Sequence, residues 1–334
     1  LKLHINPKKL IKYVVIYWII KIMLLFSIYG TGLVYLDRKG PLETNKIVLI
    51  EKGASSWEIA QLLARENVID RGWFFWTVSN ITFKARDFQA GEYEFEKHIT
   101  PKEVIRILSQ GLIVVHKLVI PEGLTNKEVI ALIEAQKALA GNVVDNYPEG
   151  YLMGNTYQYI YGDRRQVLLD KMYQEAISFL EKEWPKRDPS LMIDNQHDAM
   201  IIASIVEKEA IVPEERSIIA GVFYNRLRKG MKLQADPTII YGITLGQNKF
   251  DRPITKADIQ SKSPYNTYYI NGLPPTPIAN PSKGSVLAAL HPSKHNYLYF
   301  VTNGNKGHYF SATLSEHNAH VANYRKRAKN AASN

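Results

Sequence analysis

The hydrophobic and polar positions of this chain change period several times, and each change predicts an element. From Tyr13 to Leu36 the chain is apolar except for Lys21, Ser27, Thr31 and two glycines. As a helix this run spans roughly 36 Å against a bilayer core of about 30 Å, so it is expected to be a transmembrane helix over 13–36. The run is too long for a signal peptide and no A-x-A-like site follows it, which argues against cleavage. Lys21, near its middle, is expected to snorkel or to face a partner helix.

Beyond the run, strand-like stretches alternate with helix starts. Lys46–Ile50, Tyr93–Phe95 and Val114–Ile120 read as strands, and each precedes an S/T-x-x-E box: Ser55 to Glu58, Thr100 to Glu103 and Thr125 to Glu128. In such a box the hydroxyl and the carboxylate satisfy free N–H groups at a helix start, so three helices are expected there. Trp73–Trp76 adds an aromatic helix. Residues 44–115 therefore read as a small α+β module, either a glycan-binding unit of the lysin-motif kind or a spacer.

Asn195–Ala210 has helical period. Counting about 100° per residue from Asp198, Ile202, Ile205, Val206 and Ala210 share a face, with Glu209 at about 20° in its middle and Glu207 on the opposite side. A carboxyl in the centre of an apolar stripe is either paired to a buried cation such as Arg216 or Arg226, or kept there for its chemistry. Desolvation raises its pKa, so it can stay protonated near neutrality and donate a proton. From Gln234 to Pro281 the prolines become dense, which predicts fixed loops without helix or central strand. Those loops carry Gln234, Asp236, Thr238, Tyr265, Asn266, Thr267 and Tyr268, residue types that stack on sugar rings and bond to sugar hydroxyls.

Composition and charge narrow the function. The 334 residues include no cysteine, which removes disulfides, thiolate metal sites and a cysteine nucleophile. The net charge of +10 suggests nucleic acid until it is placed along the chain. Residues 1–40 carry +6 and residues 321–334 carry +4, so the body between them is neutral and no nucleic acid partner is expected. Lys2, Lys8, Lys9 and Lys12 precede the apolar run without an acid, which sets the N-terminus in the cytoplasm and exports the rest. His291, His295, His308, His317 and His320 are numerous, but H-E-x-x-H is missing, as are the G-x-S-x-G elbow and the P-loop. No metal or cofactor is expected, and His308 reads as support for the groove.

Taken together, Ile202–Glu209, Leu233–Thr238, Tyr265–Tyr268, Gly272–Pro275, His291-Pro292 and Tyr297–Val301 resemble the endolytic murein transglycosylase (MltG or YceG-like) family. The resemblance implies an α+β protein: a cytoplasmic tail over 1–12, the single-pass inner-membrane helix over 13–36, a lysin-motif-like module over 44–115 and a larger mixed α+β catalytic domain over 116–330, periplasmic or otherwise extracytoplasmic. It implies cleavage of nascent peptidoglycan strands with 1,6-anhydro ends, termination of glycan elongation, and peptidoglycan synthases as partners. It also implies that Glu209, the second Glu of the E-K-E motif, is catalytic. Two positions depart from the family pattern: Ala235 replaces the Thr of Q-T-D-P, and Gly154-Asn155 replaces Pro and an acid in a loop then expected to be more mobile. A water-using glycoside hydrolase pairing Glu209 with Asp236, and a membrane-tethered peptidoglycan-binding scaffold, are the alternatives.

Overall fold

A computed structural model of the chain describes residues 7–81, 84–247 and 250–331, without the side chains at 7–10, 24, 25, 28 and 328–331. It divides into two compact units, Leu1–His116 and Lys117–Asn334. The fold is mixed α+β, as the alternation of periods predicts.

In the first unit the apolar run lies in helix α1 (Pro7–Leu36). Among the described residues no helix is long and apolar enough to cross a membrane. The Lys21 ammonium lies over the rings of Tyr17 and Trp18, at 4.8 and 5.5 Å. Lys2 and the side chains of Lys8, Lys9 and Lys329, which enter the charge reading, fall outside the described residues. Strand β1 (Lys46–Ile50) is followed by α2 (Ser56–Arg65) and α3 (Gly72–Ile81), then by β2 (Gly91–Phe95) and α4 (Pro101–Gln110). β1 and β2 pair antiparallel with Val48 opposite Tyr93. Period-two alternation turns Val48, Ile50, Tyr93 and Phe95 inward, where Ile59, Leu63, Phe75, Val104 and Leu108 of the helices cover them.

Strand β3 (His116–Ile120), which lies in the second unit from Lys117 on, pairs with β4 (Asn155–Tyr159) and is covered by α5 (Asn126–Glu134) and α6 (Arg165–Glu183). Helix α7 (Gln196–Glu209) then runs through the main core, with every residue from Ala199 to Val206 buried. It packs against α8 (Arg216–Arg228), α9 (Asp236–Thr244) and α11 (Lys283–Leu290). The short α10 (Lys256–Ile259) precedes α11, and an antiparallel hairpin of β5 (Tyr299–Thr302) and β6 (His308–Ser311) leads into α12 (Leu314–Ala331).

Two expectations are corrected. The proline-dense segment is not loop throughout, because Asp236–Thr244 is helical. Pro237 falls in the first turn, where a missing N–H removes no helical hydrogen bond, so the proline starts a helix there. The box at Thr100 is half formed. Its hydroxyl accepts from the Glu103 N–H, but the Glu103 carboxylate turns to Arg106 one turn ahead. At Ser55 and Thr125 no such cation competes and both boxes close in both directions.

Candidate active site

Glu207 and Glu209 stand two residues apart on α7, and the structure gives them opposite surroundings. The Glu207 carboxylate accepts from the Ser282 N–H at 3.0 Å, from both the Ser282 and Ser285 hydroxyls, and lies 3.5 Å from Arg216. It thereby fixes the N-terminal turn of α11, and its charge is fully answered. No hydrogen bond or ion pair reaches the Glu209 carboxyl among the described residues. Burial, with the negative Asp236 adding to it, pushes Glu209 up to about 8, against a smaller opposing pull from Arg226. Its place in the last turn of α7, where unpaired carbonyls concentrate negative potential, works in the same direction.

Glu209 faces a cavity of about 430 Å³. Gln234 and Asp236 line it from the turn into α9, Tyr268 from the irregular run beyond α10, Tyr299 and Thr302 from β5, His308 from β6, and His317 and Asn318 from α12. Asp236 accepts the Tyr268 hydroxyl at 2.7 Å. Burial and that carboxylate hold the Tyr268 phenol far above its ordinary range, so it remains a donor. Gln234 adopts φ of +51°, a left-handed conformation that costs a non-glycine residue on the order of 1 kcal/mol. Arg226 holds it there, donating to the Gln234 side-chain oxygen at 3.2 Å and to the carbonyls of Lys232, Leu233 and Leu298. The arginine proposed above as a partner for Glu209 is thus occupied by the loop that carries Gln234.

Glu215, from the turn before α8, holds His308 at two points. One carboxylate oxygen lies 2.7 Å from Nδ1 and the other accepts the His308 N–H at 2.9 Å. A carboxylate only accepts, so the proton sits on Nδ1 and Nε2 is left without a partner among the described residues. On α12, His317 stacks on Tyr299, has no partner for its buried Nδ1 among the described residues, and is pushed below its ordinary pKa by burial and by Arg226.

Of the residues expected from sequence, Glu209, Gln234, Asp236, Tyr268 and His308 come together in this cavity. Thr238, Asn266 and Thr267 do not line it; all three are fully buried. The Thr267 hydroxyl accepts the Ala235 N–H at 2.9 Å and lies 2.8 Å from that of Thr238, while the Asn266 amide donates to the carbonyls of Ile259 and Ser261. Tyr265 also lies off the cavity, with its hydroxyl 2.9 Å from Thr276 and its ring against Tyr241. These four brace the loops behind the lining. Both departures from the family pattern lie outside the lining as well. Ala235 is buried in the core, and the loop at Gly154 is held by Leu152, whose N–H donates to Asn280 at 2.6 Å.

A sequence profile of the YceG-like family matches residues 48–323. The chain belongs to the YceG-like family. Relatives include the endolytic murein transglycosylase of Bacillus subtilis, 33% identical over 87% of this chain and 88% of its own length. The endolytic murein transglycosylase of Streptococcus pneumoniae is 27% identical over 86% of this chain and 61% of its own length. A crystal structure described as a YceG-like protein of Listeria monocytogenes covers 82% of this chain and 98% of its own, with a TM-score of 0.52 and 31% identity. The YceG-like match includes every cavity residue named above.

Proposed function

We propose that this chain is an endolytic murein transglycosylase whose acid and base is Glu209. The enzyme class follows from its relatives, and the observation that carries the residue is a carboxyl without a partner among the described residues in the wall of a polar cavity, where burial pushes it up to about 8. Protonated Glu209 gives its proton to the glycosidic oxygen between N-acetylmuramic acid and N-acetylglucosamine. As that bond breaks, the muramic C1 becomes oxocarbenium-like, and Asp236, anchored by Tyr268, lies in the same cavity to oppose the positive charge. Glu209, now a carboxylate, takes the proton of the muramic C6 hydroxyl as its oxygen closes on C1. One bond forms, one breaks and no water is consumed, so the product carries a 1,6-anhydro end and one carboxyl serves both steps.

The apolar residues 13–36 of α1 support a single-pass inner-membrane anchor, with the lysine-rich segment 1–12 cytoplasmic and the rest exported. The strand-helix-helix-strand order of β1, α2, α3 and β2 supports a lysin-motif-like module over 44–115, ahead of a catalytic domain over 116–330. Peptidoglycan strands are the substrate, and a tethered cutter of nascent strands that ends their elongation would work beside the synthases. Purified glycan strands of defined length test the mode of cutting. Internal cleavage shortens the mean length before small fragments appear, whereas early release of disaccharides would overturn it.

A further inference from the structure

Helix α3 reads Gly-Trp-Phe-Phe-Trp-Thr-Val-Ser-Asn-Ile; Phe75 lies in the core with Phe74 and Trp76 packed against it, while Trp73 is turned away from it. Phe75, Val78 and Ser79 are buried, while Trp73 is 55% exposed and Ile81 45% exposed on the opposite face. Trp57, at the start of α2, is 45% exposed and meets Trp76 edge-on at 5.4 Å, which extends the aromatic surface. A contiguous exposed apolar patch marks a protein or membrane interaction site.

Two observations locate that partner. First, α3 touches the last turns of α1: a methyl group placed at Gly32 would meet Val78 at 3.4 Å, and the Tyr35 and Phe74 rings are 4.8 Å apart. At 1.5 Å per residue, Gly32 to Tyr35 lies roughly 30 Å along the helix from Tyr13, which is the thickness of a bilayer core. Second, the polar side chains of α3 are turned back on their own helix. The Thr77 hydroxyl donates to the Trp73 carbonyl, Ser79 to Phe75 and the Asn80 amide to Trp76, each at 2.7–2.8 Å. With the hydroxyl and amide donors spent within the helix, and the Trp76 indole donating to Ser56 of α2 at 3.2 Å, this face can approach a medium that offers few hydrogen bonds. Exposed Arg71 and Lys84 flank it, where they can meet phosphate headgroups.

From this we infer that α3 is an interfacial helix, with Trp73, Ile81 and Trp57 lying in the headgroup boundary of the membrane that α1 crosses. The inference rests on reading α1 as the anchor. Trp and Tyr favour that boundary because an apolar ring and a polar edge are both satisfied there. α3 then fixes the small module against the lipid surface and sets its orientation.

Because the chain has no cysteine, a single introduced one takes a nitroxide label at a chosen site. The full chain would be placed in phosphatidylcholine–phosphatidylglycerol vesicles and each label's collisions with oxygen and with a water-soluble nickel chelate compared. Ile20→Cys reports on the anchor, Trp73→Cys and Thr77→Cys on the exposed face of α3, and Glu181→Cys on water. The oxygen-to-nickel ratio at both α3 sites is expected at least about fivefold above that at Glu181→Cys. A lipid reading at Ile20→Cys with water readings at both α3 sites overturns the inference and leaves the anchor standing. A water reading at Ile20→Cys overturns both. Dipolar broadening at the α3 sites that vanishes on dilution with unlabelled protein would assign the face to a second copy and overturn the lipid assignment.

Discussion

Replacing Glu209 by Gln should make the protein more stable and inactive at once, and pH sets the size of the gain. A glutamate in the unfolded chain titrates near 4.5, whereas folded Glu209 holds its proton to about 8. Between those values the native state binds one more proton than the unfolded state, so stability falls as pH rises, and above about 8 the loss is complete. At 1.36 kcal/mol per unit the loss reaches about 4 kcal/mol at pH 8. Cavity water screens the carboxylate, which brings the expected figure to about 2–4 kcal/mol. The neutral amide of Glu209→Gln escapes this loss. At 2–4 °C per kcal/mol, its Tm should exceed that of the parent by about 4–16 °C at pH 8 and by only about 1–3 °C at pH 5. Calorimetry of both proteins from pH 5 to 9 checks this. A difference in Tm that does not change with pH would refute the raised pKa, and with it the reason for choosing Glu209 as the acid.

The same titration shapes the rate: kcat/KM should fall above about pH 8, as free enzyme with ionised Glu209 has no proton to give, and a limb near pH 4.5 would contradict it. Glu207→Ala leaves Ser282, Ser285 and Arg216 without their acceptor and should cost about 3 kcal/mol in chemical denaturation, while turnover per folded molecule survives. Glu215→Gln keeps the shape of the site but loses the charged acceptor for Nδ1 of His308, so KM should rise about tenfold with kcat changed little. Thr267→Val breaks the bonds to Ala235 and Thr238 behind the cavity and should destabilise by about 2 kcal/mol, with KM changing little for the folded fraction.

What the sequence revealed depended on how local the cause was. The capping boxes at Ser55 and Thr125 and the helix over 196–209 are short-range effects, and pattern alone placed them. Helical spacing separates Glu207 from Glu209, but α7 does not have the single apolar face that spacing predicts. α7 is buried on every side from Ala199 to Val206, and Glu207 is distinguished by its partners at the start of α11, some 75 residues away. The buried Thr238, Asn266 and Thr267 were legible as polar residues near the site, but nothing local shows whether a hydroxyl faces a cavity or the loop behind it. His317 carried a signal only as one of several histidines. Its place in the cavity wall depends on α12 returning to β5, a long-range contact with no sequence period. Arg226 was legible as a buried cation, but its partners lie on the turn at 232–234 and at Leu298.

The claim on which the mechanism depends is that the substrate's own C6 hydroxyl, and not water, displaces the leaving sugar. Mass spectrometry of the new ends formed from uncapped glycan strands measures this directly, with Glu209→Gln run beside the parent. The parent should yield muramic ends one water lighter than reducing ends, and Glu209→Gln should yield none. Reducing ends that take up labelled oxygen from heavy water would contradict the account and make the enzyme a hydrolase.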